Sequence, residues 1–310
     1  MRKIDLNYFP GWVRKSVSFT IDDGNIRMDT KFLELTKPYG IKGTFNLCSD
    51  RLTESADFYR EFYEGYEIAN HCKAHPFCIS DTADYKYTED SFDAEGADRG
   101  MVYRSETEGY FMVYDDRRKM WLKYATPEKY VELIKQGQAE LDEMFGKGAV
   151  RSYVWPFGEQ NSAFVKEYLS KTDYYGVRKT GCVLDSEGFD MPKCRLEWSY
   201  TANHANLLEI MEKYEAYPDD GGLKFFCFGV HSVDFERAEN WCDLESFSKT
   251  YGNRPEDYYY ASVGEIFDYE NAVKGAVVIE NSVTNGSPLT LYITVDGEKA
   301  TVPPNSVYNF

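Results

Sequence analysis

Residues 15–24, KSVSFTIDDG, alternate in polarity. Val17, Phe19 and Ile21 point one way and the polar DDG ends the run, which predicts a strand with a turn at its C-terminal end. Residues 28–40, MDTKFLELTKPYG, change to helical spacing at Met28, Phe32, Leu33 and Leu35 and stop at Pro38 and Gly40. IKGTFNLC (41–48) reads as a second strand. Strand, helix and strand in so few residues make a βαβ unit, which implies parallel pairing. The rhythm then recurs. YEIAN (66–70) leads as a strand into His71, SYVW (152–155) leads into PFGEQN, and YYGVRKTG (174–181) follows. LKFFCFGV (223–230) is a continuous apolar run, as expected of a strand covered on both faces, and it ends at His231. DYYYASVGEI (257–266) reads as one more strand, and PEKYVELIKQGQAELDEMFGKG (127–148) as the clearest helix, with a glycine stop.

Two regions break this rhythm. Residues 78–125 are acidic, rich in Tyr and Asp and without a sustained period; they read as a long insertion suited to a lid or a cleft wall. From residue 276 the chain is strand-like with turns at NGSP and DG, which gives a small C-terminal β appendage (276–310) to a main domain over 1–275. No internal repeat stands out.

Composition narrows the function. The 43% hydrophobic content is ample for a core in a chain of 310 residues and excludes disorder. A formal net charge of −17 opposes nucleic acid and an anionic membrane surface, and fits a neutral or cationic substrate. The seven cysteines (Cys48, Cys72, Cys78, Cys182, Cys194, Cys227 and Cys242) are odd in number and include no CxxC pair, which argues against a disulfide framework and a zinc knuckle. Unpaired thiols suit a reducing compartment. The N-terminal MRKIDLNYFPGW has no apolar leader core, so the expected location is cytoplasmic, or secreted if a leader has been removed ahead of it. The sequence carries no signal for an oligomeric state.

The candidate chemistry is positional. Asp22 and Asp23, His71 and His75, PFG, and His231 each follow the C-terminal end of an expected strand, the rim where (β/α) barrels gather catalytic groups. His71 and His75 are two of only four histidines, and their i, i+4 spacing would put both imidazoles on one face of a helical turn. With one carboxylate of the Asp22/Asp23 pair they make a two-His, one-Asp ligand set that leaves coordination positions open. The other carboxylate would take a proton from water, and His231 would give one to a leaving group. The sum is metal-assisted hydrolysis of an amide or ester.

SFTIDDG, NHCKAHP and WPFG, in this order and followed by FGVHSVDF, resemble the polysaccharide deacetylases of the NodB homology domain, the carbohydrate esterase family 4 type, over about residues 12–270. The resemblance implies an α/β fold, a distorted (β/α) barrel, and the removal of acetyl groups from sugars. It assigns Asp22 as catalytic base and Asp23, His71 and His75 as metal ligands. It makes His231 the acid and the backbone N–H of Phe157 an oxyanion donor. Zinc is the expected ion, with cobalt, nickel, manganese or iron also allowed by the ligand set. Three departures stand out. Cys72 replaces the usual Ser or Thr between the ligands, which predicts a looser surrounding of the histidines. Val154 stands where the family commonly has Arg; Arg178 is favoured over Arg151 as the substitute partner of Asp22. The fourth motif has no clean match, with Asp190 and Trp198 its candidates.

Blander readings apply elsewhere. His204 reads as helix surface or cap, DSEGFD (185–190) as a turn, the cysteines as small buried hydrophobes, and Trp12, Trp121 and Trp241 as packing; Trp155 either lines the cleft or packs beneath it. Two other functions compete with sugar deacetylation: hydrolysis of a small or cyclic amide at the same site, and carbohydrate binding without catalysis.

Overall fold

The structure is a computed structural model that describes residues 2–79, 87–88, 92–104, 110–158, 161–179, 197–198, 201–202 and 207–310. Asp190, His204, Cys182, Cys194 and the 185–190 segment lie outside the described residues. The chain divides into two compact units, one of Met1–Phe45, Tyr63–Glu67 and Gly181–Phe310, the other of Asn46–Phe62 and Ile68–Thr180.

In the first unit β1 (Ile4–Tyr8) is followed by β2 (Lys15–Asp23), α1 (Ile26–Thr36) and the start of β3 (Gly43–Leu47). Strand β2 is central. Lys224–His231 runs parallel to it from the Lys15–Lys224 pair to the Asp22–His231 pair, and Tyr258–Tyr260 is also parallel to it. The alternation in β2 would suggest one covered face, yet Ser16, Ser18 and Thr20 are as buried as Val17, Phe19 and Ile21. Covering elements on both sides explain this, and the Ser16 and Ser18 hydroxyls bond backbone; Ser16 Oγ donates to the Lys224 carbonyl at 3.1 Å. Asn25 caps α1 by accepting from the Met28 N–H, and Phe32 meets Phe19 edge-on at 5.4 Å between ring centroids. Gly40 closes the following turn at φ 68°, a region glycine enters without steric cost.

The expected strand 257–266 is half helix. Only Tyr258–Tyr260 is extended; Ser262 then caps the helix Val263–Lys274, its side chain and that of Glu265 forming a reciprocal capping box. The C-terminal residues form two antiparallel sheets. One joins Val277–Ile279, Ser282–Asn285 and Ser306–Asn309; the other joins Leu291–Val295 and Glu298–Val302 to β1.

In the second unit, the end of β3 and β4 (Glu67–Asn70) accompany the parallel strands Ser152–Val154 and Gly176–Arg178. Two helices of this unit are α2 (Ala56–Phe62) and α3 (Pro127–Phe145), the latter started by Thr126 and ended at Gly146. The aperiodic 78–125 region holds a hairpin, Tyr110–Asp115 with Met120–Ala125, in a sheet with Phe77–Cys78, Tyr87–Thr88 and Val102–Arg104. Its period is hidden because both faces of Tyr110–Asp115 are partly covered. Asp115 builds the turn by accepting from the N–H groups of Arg117 and Arg118. Trp155 is buried beneath the rim between Tyr130 and Tyr153. Among the described residues no helix is long and apolar enough to cross a membrane.

Candidate active site

In the first unit β2 ends at Asp22 and Asp23. Asp23 has φ 88° and Gly24 φ 72°, so the backbone turns sharply where the carboxylates emerge. A left-handed aspartate is held at a cost of about 1 kcal/mol or more, and such strain clusters at functional sites. Asp22 is buried, and His231, its register partner, puts Nε2 3.9 Å from Asp22 Oδ2. The opposite ring atom, His231 Nδ1, lies 3.1 Å from Asp234 Oδ2. A carboxylate there requires Nδ1 to carry hydrogen and donate. Burial pulls the His231 pKa down, but the bond to Asp234 and the charges of Asp22, Asp23 and Asp234 outweigh it and raise it to about 9. Nδ1 thus faces Asp234 while Nε2 faces the Asp22 side.

Asp29, on α1, is buried; Ser232 Oγ donates to its Oδ1 at 2.5 Å and the Tyr63 hydroxyl to its Oδ2 at 3.0 Å. Burial raises its carboxyl to about 7 against the pull of these hydrogen bonds. This cluster fixes the residue after His231. Sequence reading missed both Asp234 and Asp29. The signal for Asp234 was HSVD, an acid three residues after the histidine in the first turn of the helix Ser232–Arg237.

In the second unit His71 follows β4 directly, but the two histidines do not share a helical turn. Residues 71–76 form a loop in which Cys72 (φ 64°) and His75 (φ 49°) are left-handed. The loop folds the rings together all the same, with centroids 4.8 Å apart and planes at 71°. His71 is buried and its Nδ1 lies 2.9 Å from the Val154 carbonyl. A carbonyl only accepts, so Nδ1 carries the hydrogen and Nε2 the lone pair in the neutral ring. Val154, at the family's usual Arg position, thus acts through its backbone.

The loop is held from below. Asn70 Oδ1 accepts from the Cys72 N–H at 2.9 Å, and its Nδ2 donates to the Ile134 carbonyl and the Tyr174 hydroxyl, each at 3.0 Å. Lys73 pairs with Glu140 of α3. Gly137 of α3 lets the loop approach: a Cβ there would stand 3.0 Å from Asn70 Oδ1 and 3.1 Å from the Lys73 nitrogen. The expected looseness from Cys72 is therefore answered by Asn70. The Cys72 thiol is buried, which pushes its pKa up to about 12 and keeps it neutral.

Phe157 is left-handed (φ 57°) and exposed, its ring 4.4 Å from that of His75. Arg178 is the last residue of its strand and is buried, whereas Arg151 is exposed with its guanidinium over Tyr175. Cys48, just after β3, adds a sulfur beside this loop, its Sγ 3.3 Å from the His71 carbonyl oxygen. This donor chemistry fits a divalent ion: a histidine oriented through a backbone carbonyl, as metal-binding histidines are.

The sequence profile described as polysaccharide deacetylase matches residues 13–177. The chain belongs to the polysaccharide deacetylase family. Its reaction class is accordingly carbohydrate deacetylation. A putative polysaccharide deacetylase from Mycobacterium smegmatis is similar in fold, with 14% identity and a TM-score of 0.52, the alignment covering 87% of this chain and 94% of that one. The fold is thus the mixed α/β barrel type of the NodB deacetylases. A family 4 acetyl xylan esterase from Clostridium thermocellum, in complex with a cobalt ion, matches at 15% identity and TM-score 0.47, covering 83% and 92%. A peptidoglycan deacetylase from Bacillus subtilis matches at 12% and 0.44, also covering 83% and 92%. No curated protein matches the sequence.

Proposed function

We propose that the protein is a metal-dependent hydrolase that removes acetyl groups from an N- or O-acetylated carbohydrate. The observation that carries this reading is the Asp22–His231 pair, a buried carboxylate and an imidazole 3.9 Å apart on adjacent parallel strands. An acid and a base so placed serve the two proton transfers of acyl hydrolysis. In this reading Asp22 takes the proton of the attacking water. His231 Nε2 returns a proton to the leaving nitrogen or oxygen of the sugar. The Phe157 N–H donates to the oxyanion, a task for backbone alone. Arg178 is the residue this reading assigns to the role that Val154 cannot fill.

Asp23, His71 and His75 would hold the ion, which would supply Lewis-acid chemistry. Two nitrogens and one oxygen suit zinc, while cobalt, nickel, manganese and iron are chemically allowed. The test is acetate release from acetylated oligosaccharides, run beside elemental analysis of the purified protein. Metal in place with no acetate released from any acetylated glycan would overturn the proposal.

A further inference from the structure

We propose that Phe77 is a positioning residue: by stacking on Phe157 it selects the turn conformation that aims the Phe157 N–H at the reacting carbonyl. This rests on the function proposed above, which gives that N–H its task.

Trp155–Gly158 is a tight turn in the second unit. The Gly158 N–H donates to the Trp155 carbonyl at 3.2 Å, with Pro156 and Phe157 at the two middle places. Phe157 has φ 57°. A left-handed residue at the third place marks the type II turn, which favours glycine there. In a type I turn the same residue sits near φ of about −90°, where phenylalanine is at ease. The two turns differ by a rotation of the middle peptide through roughly 180°, so they aim the N–H of the third residue to opposite sides. The closing hydrogen bond is common to both, and proline suits the second place of either. Local sequence therefore favours type I, and the choice of type II has to come from outside the turn.

It comes from the ring. Phe157 is 40% exposed, so core packing does not fix it. Its ring meets His75 edge-on, with centroids 4.4 Å apart and planes at 71°. It meets Phe77 face to face, at 3.7 Å and 4°. Isolated rings prefer an offset or edge-on contact, so a face-to-face pair is one that the surrounding backbone imposes. Phe77 is held for this: it is the register partner of Tyr124 on a parallel strand, and its ring lies on that of Tyr124 at 4.9 Å and 18°. A flip of the 156–157 peptide moves the Phe157 nitrogen, tilts the Cα–Cβ bond with it and takes the ring off Phe77. Strained backbone persists where its surroundings over-determine it, and here the stack does so. Phe77 and Tyr124 belong to strands of the sheet that holds the 110–125 hairpin, so the aperiodic region gains a task. It holds the oxyanion donor on the correct side of its turn.

The test uses Phe77→Leu, which removes the ring, Phe77→Tyr, which keeps it, and Tyr124→Leu, which loosens the stack from its far side. Turnover is measured on an acetylated tetrasaccharide and on 4-nitrophenyl acetate. The leaving group of the second departs without a proton, so a loss there reports the oxyanion and not His231. Removing an oxyanion donor outright lowers kcat by about 10²- to 10³-fold. The expected result for Phe77→Leu is a kcat about tenfold or more lower on both substrates, with KM and metal content at the parent level. Tyr124→Leu should lose less, and Phe77→Tyr should match the parent. In a Phe157→Gly background, where the backbone enters the left-handed region unaided, the further loss from Phe77→Leu should vanish. An unchanged kcat, a raised KM alone, or the same loss in the Phe157→Gly background would overturn the proposal. Crystal structures of the parent and Phe77→Leu read the turn without turnover. A Phe157 φ that becomes negative in the variant supports the proposal, and one still near 57° rejects it. Where Phe77→Leu does not fold, Tyr124→Leu carries the same comparison. A parent that hydrolyses neither substrate counts against the function proposed above, and the Phe157 φ then decides the role of Phe77.

Discussion

His231 and Asp22 are register partners on adjacent parallel strands, and Nε2 of the one lies 3.9 Å from Oδ2 of the other. The pairing follows from strand geometry: both residues end their strands on the same rim, so no loop has to bring them together. If they are the acid and base, His231→Ala and Asp22→Asn should each lower kcat by roughly 10²- to 10⁴-fold while bound metal stays at the parent level. Full turnover by either variant, measured as acetate release, removes that residue from the mechanism.

Asp234 should set the pH range. A general acid must be protonated, and the His231 pKa is raised to about 9 in part by Asp234, so activity should fall as pH rises past that value. In Asp234→Asn the supporting charge is gone, and the alkaline limb of the kcat/KM profile should move to lower pH. A limb that stays where it was shows that Asp234 is structural only.

Asp29 should make stability fall with pH. Its folded-state pKa, about 7, lies above the ordinary carboxylate value, so the folded protein holds this proton more tightly than the unfolded chain does. Stability from this group is complete below the unfolded pKa of about 4 and is lost as pH rises to about 7, by up to about 4 kcal/mol. Asp29→Asn should flatten that slope in urea unfolding between pH 4.5 and 7.5. An unchanged slope would show that Asp29 is not its source.

Gly137→Ala should separate stability from metal binding. Within α3, alanine favours helix over glycine by about 1 kcal/mol. The added Cβ, however, would press on Asn70 and Lys73 under the histidine loop. The expected outcome is a melting temperature held or raised together with metal affinity weakened about 10- to 100-fold. Equal affinity in parent and variant would mean that the loop gives way without moving its ligands.

Strand ends were what the sequence made legible. Asp22, Asp23, His71 and His231 all follow from where apolar runs stop, and strand ends are fixed by burial, which composition records locally. The histidine loop was not legible. Spacing of i, i+4 suggests a helical turn, but the left-handed Cys72 and His75 are stabilised by Asn70 and by the space above Gly137, and that contact lies over 60 residues away in sequence. The hairpin at 110–125 escaped notice because a sheet partly covered on both faces has no two-residue period. Ser262 and Glu265 did carry a signal, the S-x-x-E of a capping box, in a stretch whose tyrosines suggested only strand.

The identity of the third ligand can be read directly from cobalt. His75 and Cys48 both stand beside His71, one ring at 4.8 Å and one thiol bonded to its carbonyl. A sulfur ligand must be a thiolate, whereas a Cys48 that donates to the His71 carbonyl keeps its proton. His75 is therefore the expected ligand. The cobalt-loaded protein should lack a near-ultraviolet thiolate charge-transfer band. His75→Ala should lose most of its metal, and Cys48→Ser should retain it. A strong charge-transfer band that disappears in Cys48→Ser would reverse the assignment and make the donor set one of oxygen, nitrogen and sulfur.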